Sequence, residues 1–269
     1  MNSEVGAPAE PDLHRRFSGM DRLFGVAPAQ QFRSSHVAVI GIGGVGSWAA
    51  EALARSGVGA LTLVDMDHVS ESNINRQLHA LTSTLGMAKI EAMRQRILDI
   101  NPECKVHVVD DFVTPENWPV VLGGAVDAVI DACDQVKAKV AMAAWAKRHK
   151  VPFVSVGAAG GKRLAHLVDI ADLSQCTHDP LLAQLRYRLR KEHAAPKDGK
   201  SMHVNCVYSK EAVRGPDASC ALEGDGSLNC HGYGSMVSVT ATFGMCAAGW
   251  VIDKLSAASY LASKKDAII

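Results

Sequence analysis

Residues 37–76 read VAVIGIGGVGSWAAEALARSGVGALTLVDMDHVSESNINR, an apolar run that ends in a glycine-rich turn and passes directly into a helical pattern. No other stretch narrows the fold as much. A buried strand, a turn containing Gly41, Gly43, Gly44 and Gly46, and a helix ended by Gly57 form the opening unit of an alternating α/β sheet. Glycines lack the Cβ that would keep a phosphate away from backbone N–H groups, and the helix N-terminus adds a positive partial charge. Asp65 closes the next apolar run, where a carboxylate accepts hydrogen bonds from ribose hydroxyls. These features specify a nucleotide, and NAD and ATP satisfy them equally.

The residues that follow separate the two. Asn73, Arg76 and Gln77 come soon after Asp65 and Asp67, Lys89 begins a helix after Gly86, and Asp131 ends a strand whose C-terminal edge faces the same crevice. Two cations suit a polyphosphate, and a carboxylate suits its Mg2+. Hydride transfer needs neither, because the nicotinamide carries that chemistry itself. Attack by a carboxylate on the α-phosphate of ATP needs both, since charge builds on the phosphoryl oxygens and leaves with the pyrophosphate. Arg76, Lys89 and Asp131 are therefore the catalytic candidates, with Asp131 the metal ligand. The nucleotide-binding set is Gly41, Gly43, Gly44, Gly46, Asp65, Asp67, Asn73, Arg76, Gln77 and Lys89.

Strands at 37–41, 61–65, 105–109, 126–130 and 153–156 alternate with helices at 47–56, 87–100 and 138–147, a pattern that predicts a mostly parallel sheet with helices on both faces. Beyond Gly161 the alternation changes: 163–170 and 203–208 read as antiparallel strands around a charged helix at 181–191. The expected fold class is α/β, a Rossmann-like doubly wound sheet with a C-terminal antiparallel and helical extension. An N-terminal arm and helix (1–30) lead into an ATP-binding region (31–160) and an extension for substrate and dimer contacts (161–269), continuous with the same fold.

Formal charge is zero, so no global field draws the chain to polyanions, and any such binding rests on a local patch. The cysteines are odd in number and never spaced CxxC, which argues against a disulfide framework or structural zinc and for reduced thiols in the cytoplasm. The N-terminus has no basic and then apolar pattern of a secretory signal and reads as a disordered lead-in. Residues 232–252 carry no formal charge and are long enough for a membrane span, the alternative to a buried core or interface helix.

GIGGVGSWAAEALARSGVG, LVDMDHVSESNINRQ, GMAKIEAM and VIDACD resemble the adenylation domain shared by ubiquitin-activating enzymes and the bacterial sulfur-carrier adenylyltransferases. The resemblance implies that Gly41, Gly43 and Gly44 line ATP, Asp65 binds ribose with Asp67 nearby, Asn73, Arg76, Gln77 and Lys89 contact phosphates, and Asp131 holds Mg2+. It also implies a homodimer with an arginine crossing to the partner, for which Arg15, Arg16 and Arg22 are candidates. The chain departs from the sulfur-carrier enzymes in lacking paired CxxC ligands, and it carries Asp134-Gln135 where Asp-Asn is common.

NRQLHAL, INPECKVHVVDDFVTPEN, the glycine loop at 157–161, THDPLLAQLR and MVSVTATFG are similar to the tRNA threonylcarbamoyladenosine dehydratase family across nearly the whole chain. That similarity implies ATP-dependent closure of the threonylcarbamoyl side chain, beside the anticodon, to a cyclic hydantoin through adenylation of its carboxylate. An attacking nitrogen in the same side chain makes an enzyme nucleophile unnecessary. The alternative is an adenylyltransferase acting on the C-terminus of a ubiquitin-like sulfur carrier, and a third class is a nucleotide-binding or NAD-linked scaffold. The family is also associated with cysteine desulfurase partners, which makes Cys230, in a glycine-flanked loop beside His231, a candidate sulfur acceptor. Arg186, Arg188, Arg190, Lys191, His193, Lys197 and Lys200, with Lys162 and Arg163, form the candidate tRNA surface, and Tyr187 or Tyr233 offers a ring on which a splayed base would stack.

Overall fold

The apolar run at His36 becomes strand β1 (His36–Ile40), flanked in parallel by β2 (Ala60–Val64) and β4 (Ala128–Asp131). β3 (Lys105–Val109) pairs outside β2, β5 (Phe153–Val156) pairs outside β4, and β7 (Asn205–Ser209) and β6 (Val168–Asp172) complete one sheet in the order β3-β2-β1-β4-β5-β7-β6. The computed structural model describes residues 10–217, 219 and 233–266. The expected lead-in at the N-terminus and Cys230 lie outside them.

β7 runs parallel to β5 and only β6 is reversed, so the antiparallel part is a single edge pair in which Ile170 faces Val207. After β3, at one edge, the chain returns to lay β4 beside β1. The winding reverses there, and this opens a crevice at the C-terminal ends of β1 and β4.

Helices α1 (Leu13–Phe24) and α2 (Val26–Ser34) precede the sheet, and α3 (Gly46–Arg55), α4 (Lys89–Ile100), α5 (Val136–His149), α6 (Pro180–Glu192) and α7 (Val237–Asp266) cover it. α1 begins where the Asp12 carboxylate accepts from Arg15 N at 3.0 Å. α6 begins where Asp179 accepts from Leu182 N at 3.0 Å, with Pro180 in the first turn. Alternate residues of β1 point to opposite layers: Val37 and Val39 pack with α3, α4 and α7, and Ala38 and Ile40 pack with α5 and α6. Both faces are thus covered, which is why the central strands read as continuous apolar runs rather than as alternating ones.

Two expectations change. The strand predicted for 163–170 starts only at Val168, because the amides of Arg163 and Leu164 both donate to Glu211 Oε2 at 2.8 Å instead of to a neighbouring strand. The uncharged run at 232–252 supplies much of α7, which is a core helix: Val239, Phe243, Ala247 and Val251 are buried in the main cluster. A Cβ on Gly244 would come within 2.8 Å of Trp48 Cβ, so α7 lies close against α3. Among the described residues no helix is long and apolar enough to cross a membrane, and membrane association through this segment is set aside.

Candidate active site

The glycine turn has two kinds of glycine. Gly41 has φ +86°, and a Cβ there would meet Ala132 O at 2.9 Å and Cys133 N at 3.0 Å; one on Gly46 would overlap Gly41 O. Gly41 is required by packing of the turn against the segment after β4, and Gly46 by the turn's own backbone. Gly43 is different, because the nearest atom to its missing Cβ is Gln77 Nε2, at 3.9 Å. Packing among the described residues leaves that position free for a side chain. Gln77 is buried, and among the described residues its Oε1 has no hydrogen-bond partner. An orphaned acceptor beside an open glycine is the mark of a missing polar ligand.

Asp65 lies just beyond β2, nearly buried. Its Oδ2 accepts from Ile42 N at 2.6 Å and its Oδ1 from Asp67 N at 2.9 Å, tying the acid to the glycine turn. Burial raises its carboxyl above the ordinary value, opposed by Lys89 and by these amides. Lys89, the first residue of α4, is also nearly buried. Its Nζ lies 2.6 Å from Asp67 Oδ2 and 4.0 Å from Asp65 Oδ1. Next to it sits His79, 2 % exposed with neither ring nitrogen partnered among the described residues, and burial and then the Lys89 charge push its pKa down to about 4.

Arg76 is fixed through its backbone. Trp48 Nε1 of α3 donates to its carbonyl at 3.0 Å and Thr240 Oγ1 of α7 at 3.4 Å, while its guanidinium, half-buried, holds Ser72 O and Asn75 Oδ1. Asn73 turns inward and caps its own turn, accepting from Ser70 N at 3.1 Å. The glycine turn, Asp65, Asp67, Arg76, Gln77 and Lys89 therefore share one side of the crevice, whereas the Asn73 side-chain oxygen is committed to local structure.

Asp131 does not fit a metal ligand. It is wholly buried, and its Oδ2 accepts from Lys139 Nζ at 3.0 Å and Ser155 Oγ at 2.7 Å, while Cys133 Sγ approaches Oδ1 at 3.1 Å. Lys139 is equally buried and also donates to Val156 O at 2.8 Å, so the pair staples the ends of β4 and β5 together. The exposed carboxylate of this loop is Asp134, three residues on. Among the described residues no three His, Cys, Asp or Glu side chains converge on one point. The signal for Lys139 lay in the sequence: a lysine between Ala138 and Val140 on the apolar side of a helix needs a buried partner.

The basic run on α6 is divided. Arg186 Nη1 donates to Leu173 O and Cys176 O, Arg190 Nε to Pro196 O, and Arg188 pairs with Glu192 at 3.4 Å. Lys162 is buried and donates to the carbonyls of His178 and Glu211, so it is not part of a surface. Of the N-terminal arginines, Arg16 caps α4 through Asp99 O and Ile100 O within its own chain.

The model of the ThiF family matches residues 18–266. The tRNA threonylcarbamoyladenosine dehydratase of Escherichia coli K12 is 46 % identical over 90 % of this chain and 94 % of its own length. That of Haemophilus influenzae is 44 % identical over 91 % and 94 %. The crystal structure of the Escherichia coli enzyme in complex with ATP superposes with a TM-score of 0.84 at 43 % identity, covering 94 % of this chain and 99 % of the other. By contrast, the adenylyltransferase and sulfurtransferase MOCS3 of Drosophila willistoni, 37 % identical, aligns with 42 % of this chain.

Proposed function

Because the chain belongs to the ThiF family, we propose that it is an ATP-dependent tRNA threonylcarbamoyladenosine dehydratase, acting on the modified adenosine beside the anticodon. The observation that carries this reading is the match to the Escherichia coli enzyme over nearly the full length of both chains. The sulfur-carrier adenylyltransferase is disfavoured, since that likeness covers less than half of this chain and the CxxC pairs are missing.

ATP supplies the activation: adenylation of the threonylcarbamoyl carboxylate releases pyrophosphate. The ureido nitrogen on adenine then attacks the activated carbonyl, loses its proton and expels AMP to close a five-membered ring, so that the nucleoside loses one water overall. The chain's own residues hold and polarise. Asp65, oriented by the amides of Ile42 and Asp67, accepts the ribose hydroxyls. The open face at Gly43 and the N-terminus of α3 receive phosphate oxygens. Arg76 and Lys89 neutralise charge on the phosphates as it grows, Lys89 leaving Asp67 to do so. Asp134 takes the Mg2+ role that the sequence suggested for Asp131, because it is the accessible carboxylate of the β4–α5 loop. Intramolecular ring closure needs no enzyme nucleophile. The half-buried Cys133 thiol, its pKa pushed up by desolvation and by Asp131, is unsuited to such a role.

A tRNA substrate and reduced cysteines fit a cytoplasmic protein. A second copy of the chain and a cysteine desulfurase, with Cys230 as sulfur acceptor, are the further partners that the family resemblance implies. AMP release from ATP tests the reading. It is expected only with tRNA carrying threonylcarbamoyladenosine, and release that required a carrier protein and ignored tRNA would replace this function with the alternative.

A further inference from the structure

Among the described residues, Lys191, Lys197 and Lys200 of the basic run stay exposed, and a second group of cations joins them. Lys147, Arg148, His149 and Lys150, at the end of α5, are all exposed. They adjoin the chain that follows α6: Lys147, Arg148, His193, Ala195 and Met202 line one groove of about 210 Å3. Lys191 at the end of α6 and Lys197 and Lys200 on the segment after it are exposed, and Lys191 lies 5.9 Å over the exposed ring of Tyr187. Opposing charge is sparse, since Glu192 is paired with Arg188 and Asp198 stands alone. One cation per helix end satisfies the negative pole of each helix. Lys147, Arg148, Lys150, Lys191, Lys197 and Lys200 exceed that need in a chain with zero formal charge.

We propose that the joined C-terminal ends of α5 and α6 form the surface that grips the sugar-phosphate backbone of the tRNA stem, away from the reacting nucleoside. This rests on tRNA being the substrate. α5 starts at the crevice, just after the Asp134 loop, and ends at the far edge of its layer. At 14 residues it spans about 21 Å, so a modified base in the crevice and a stem at the far end of α5 engage together. Exposed Lys137, on the first turn of α5, adds a cation near the crevice. Such contacts carry affinity without reading sequence, which suits an enzyme that identifies its substrate by one modified base.

The test uses the full chain with Lys147→Glu/Arg148→Glu, a second variant Lys197→Glu/Lys200→Glu, and Lys105→Glu on the opposite edge strand as control. Affinity for tRNA is measured against KCl concentration, beside ATP affinity and Tm. The two patch variants are expected to weaken tRNA binding about tenfold or more and to lower the slope of log K against log salt by about 1–2, one per lost phosphate contact. ATP affinity, Tm and the control stay at the wild-type values. If a charge reversal lowers Tm, the neutral Lys147→Gln/Arg148→Gln pair gives the same reading. Wild-type affinity and slope in both patch variants, with a wild type that binds and dehydrates tRNA, overturn the surface alone. A wild type that neither binds nor dehydrates tRNA overturns the proposed function with it.

Discussion

Replacing Lys139 with methionine removes the ammonium that neutralises Asp131 where no solvent reaches either side chain. Nζ donates to Asp131 Oδ2 at 3.0 Å, Ser155 Oγ at 3.2 Å and Val156 O at 2.8 Å. Burial opposes the lysine's charge, and Asp131 more than offsets it, leaving the pKa above the ordinary value. Methionine fills much of the space, so the loss is chiefly that of an orphaned buried carboxylate, about 3–5 kcal/mol. For a chain of this size each kcal/mol shifts Tm by about 2–4 °C, so Tm is expected to fall by about 6–20 °C. Urea unfolding followed by circular dichroism gives the free energy directly. Lys139→Met combined with Asp131→Asn removes the orphaned charge and is expected to recover most of the loss while keeping the Mg2+ requirement. A single variant within about 1 kcal/mol of wild type, or a double variant no better than the single, refutes the reasoning.

The glycine turn offers a paired contrast. Gly46→Ala drives a Cβ into Gly41 O and is expected to cost about 1–3 kcal/mol in urea unfolding, whereas Gly43→Ala has space, keeps its Tm and weakens ATP binding measured by calorimetry. Arg76→Ala is expected to lower kcat/KM for dehydration by about 10²–10³, and Asp134→Asn to raise the Mg2+ concentration needed for half-maximal rate; unchanged kinetics contradict these roles. His79, near pKa 4 when folded and about 6.5 when unfolded, binds its proton more readily in the unfolded chain. Its contribution is therefore complete above pH 6.5 and is lost as pH falls toward 4, up to about 3 kcal/mol. His79→Gln is expected to flatten that part of the curve of stability against pH, and a curve that stays as steep as wild type rejects the assignment.

The parallel sheet was legible because strands buried on both faces are continuous apolar runs, and β3 and β5 fall where the pattern put them. The start of β6 was not legible, because the Glu211 carboxylate, about 50 residues away, captures the amides that alternation alone assigns to a strand. At the crevice, the glycine turn and Asp65 carry local signals of spacing and strand end. Asp131 ends β4 and Asp134 lies three residues on; the sequence marks Lys139 as needing a buried partner, and the fold shows that Asp131 is that partner. The same limit applied to the cations: sequence showed a dense run on α6, but not that Arg186 and Arg190 are used on carbonyls or that the end of α5 lies beside them.

The reaction itself is tested most directly by incubating the protein with tRNA that carries threonylcarbamoyladenosine, with and without ATP and Mg2+, and weighing the digested nucleosides by mass spectrometry. The expected result is a modified adenosine lighter by one water, formed only with ATP and Mg2+. A nucleoside of unchanged mass, with ATP bound and tRNA present, contradicts it.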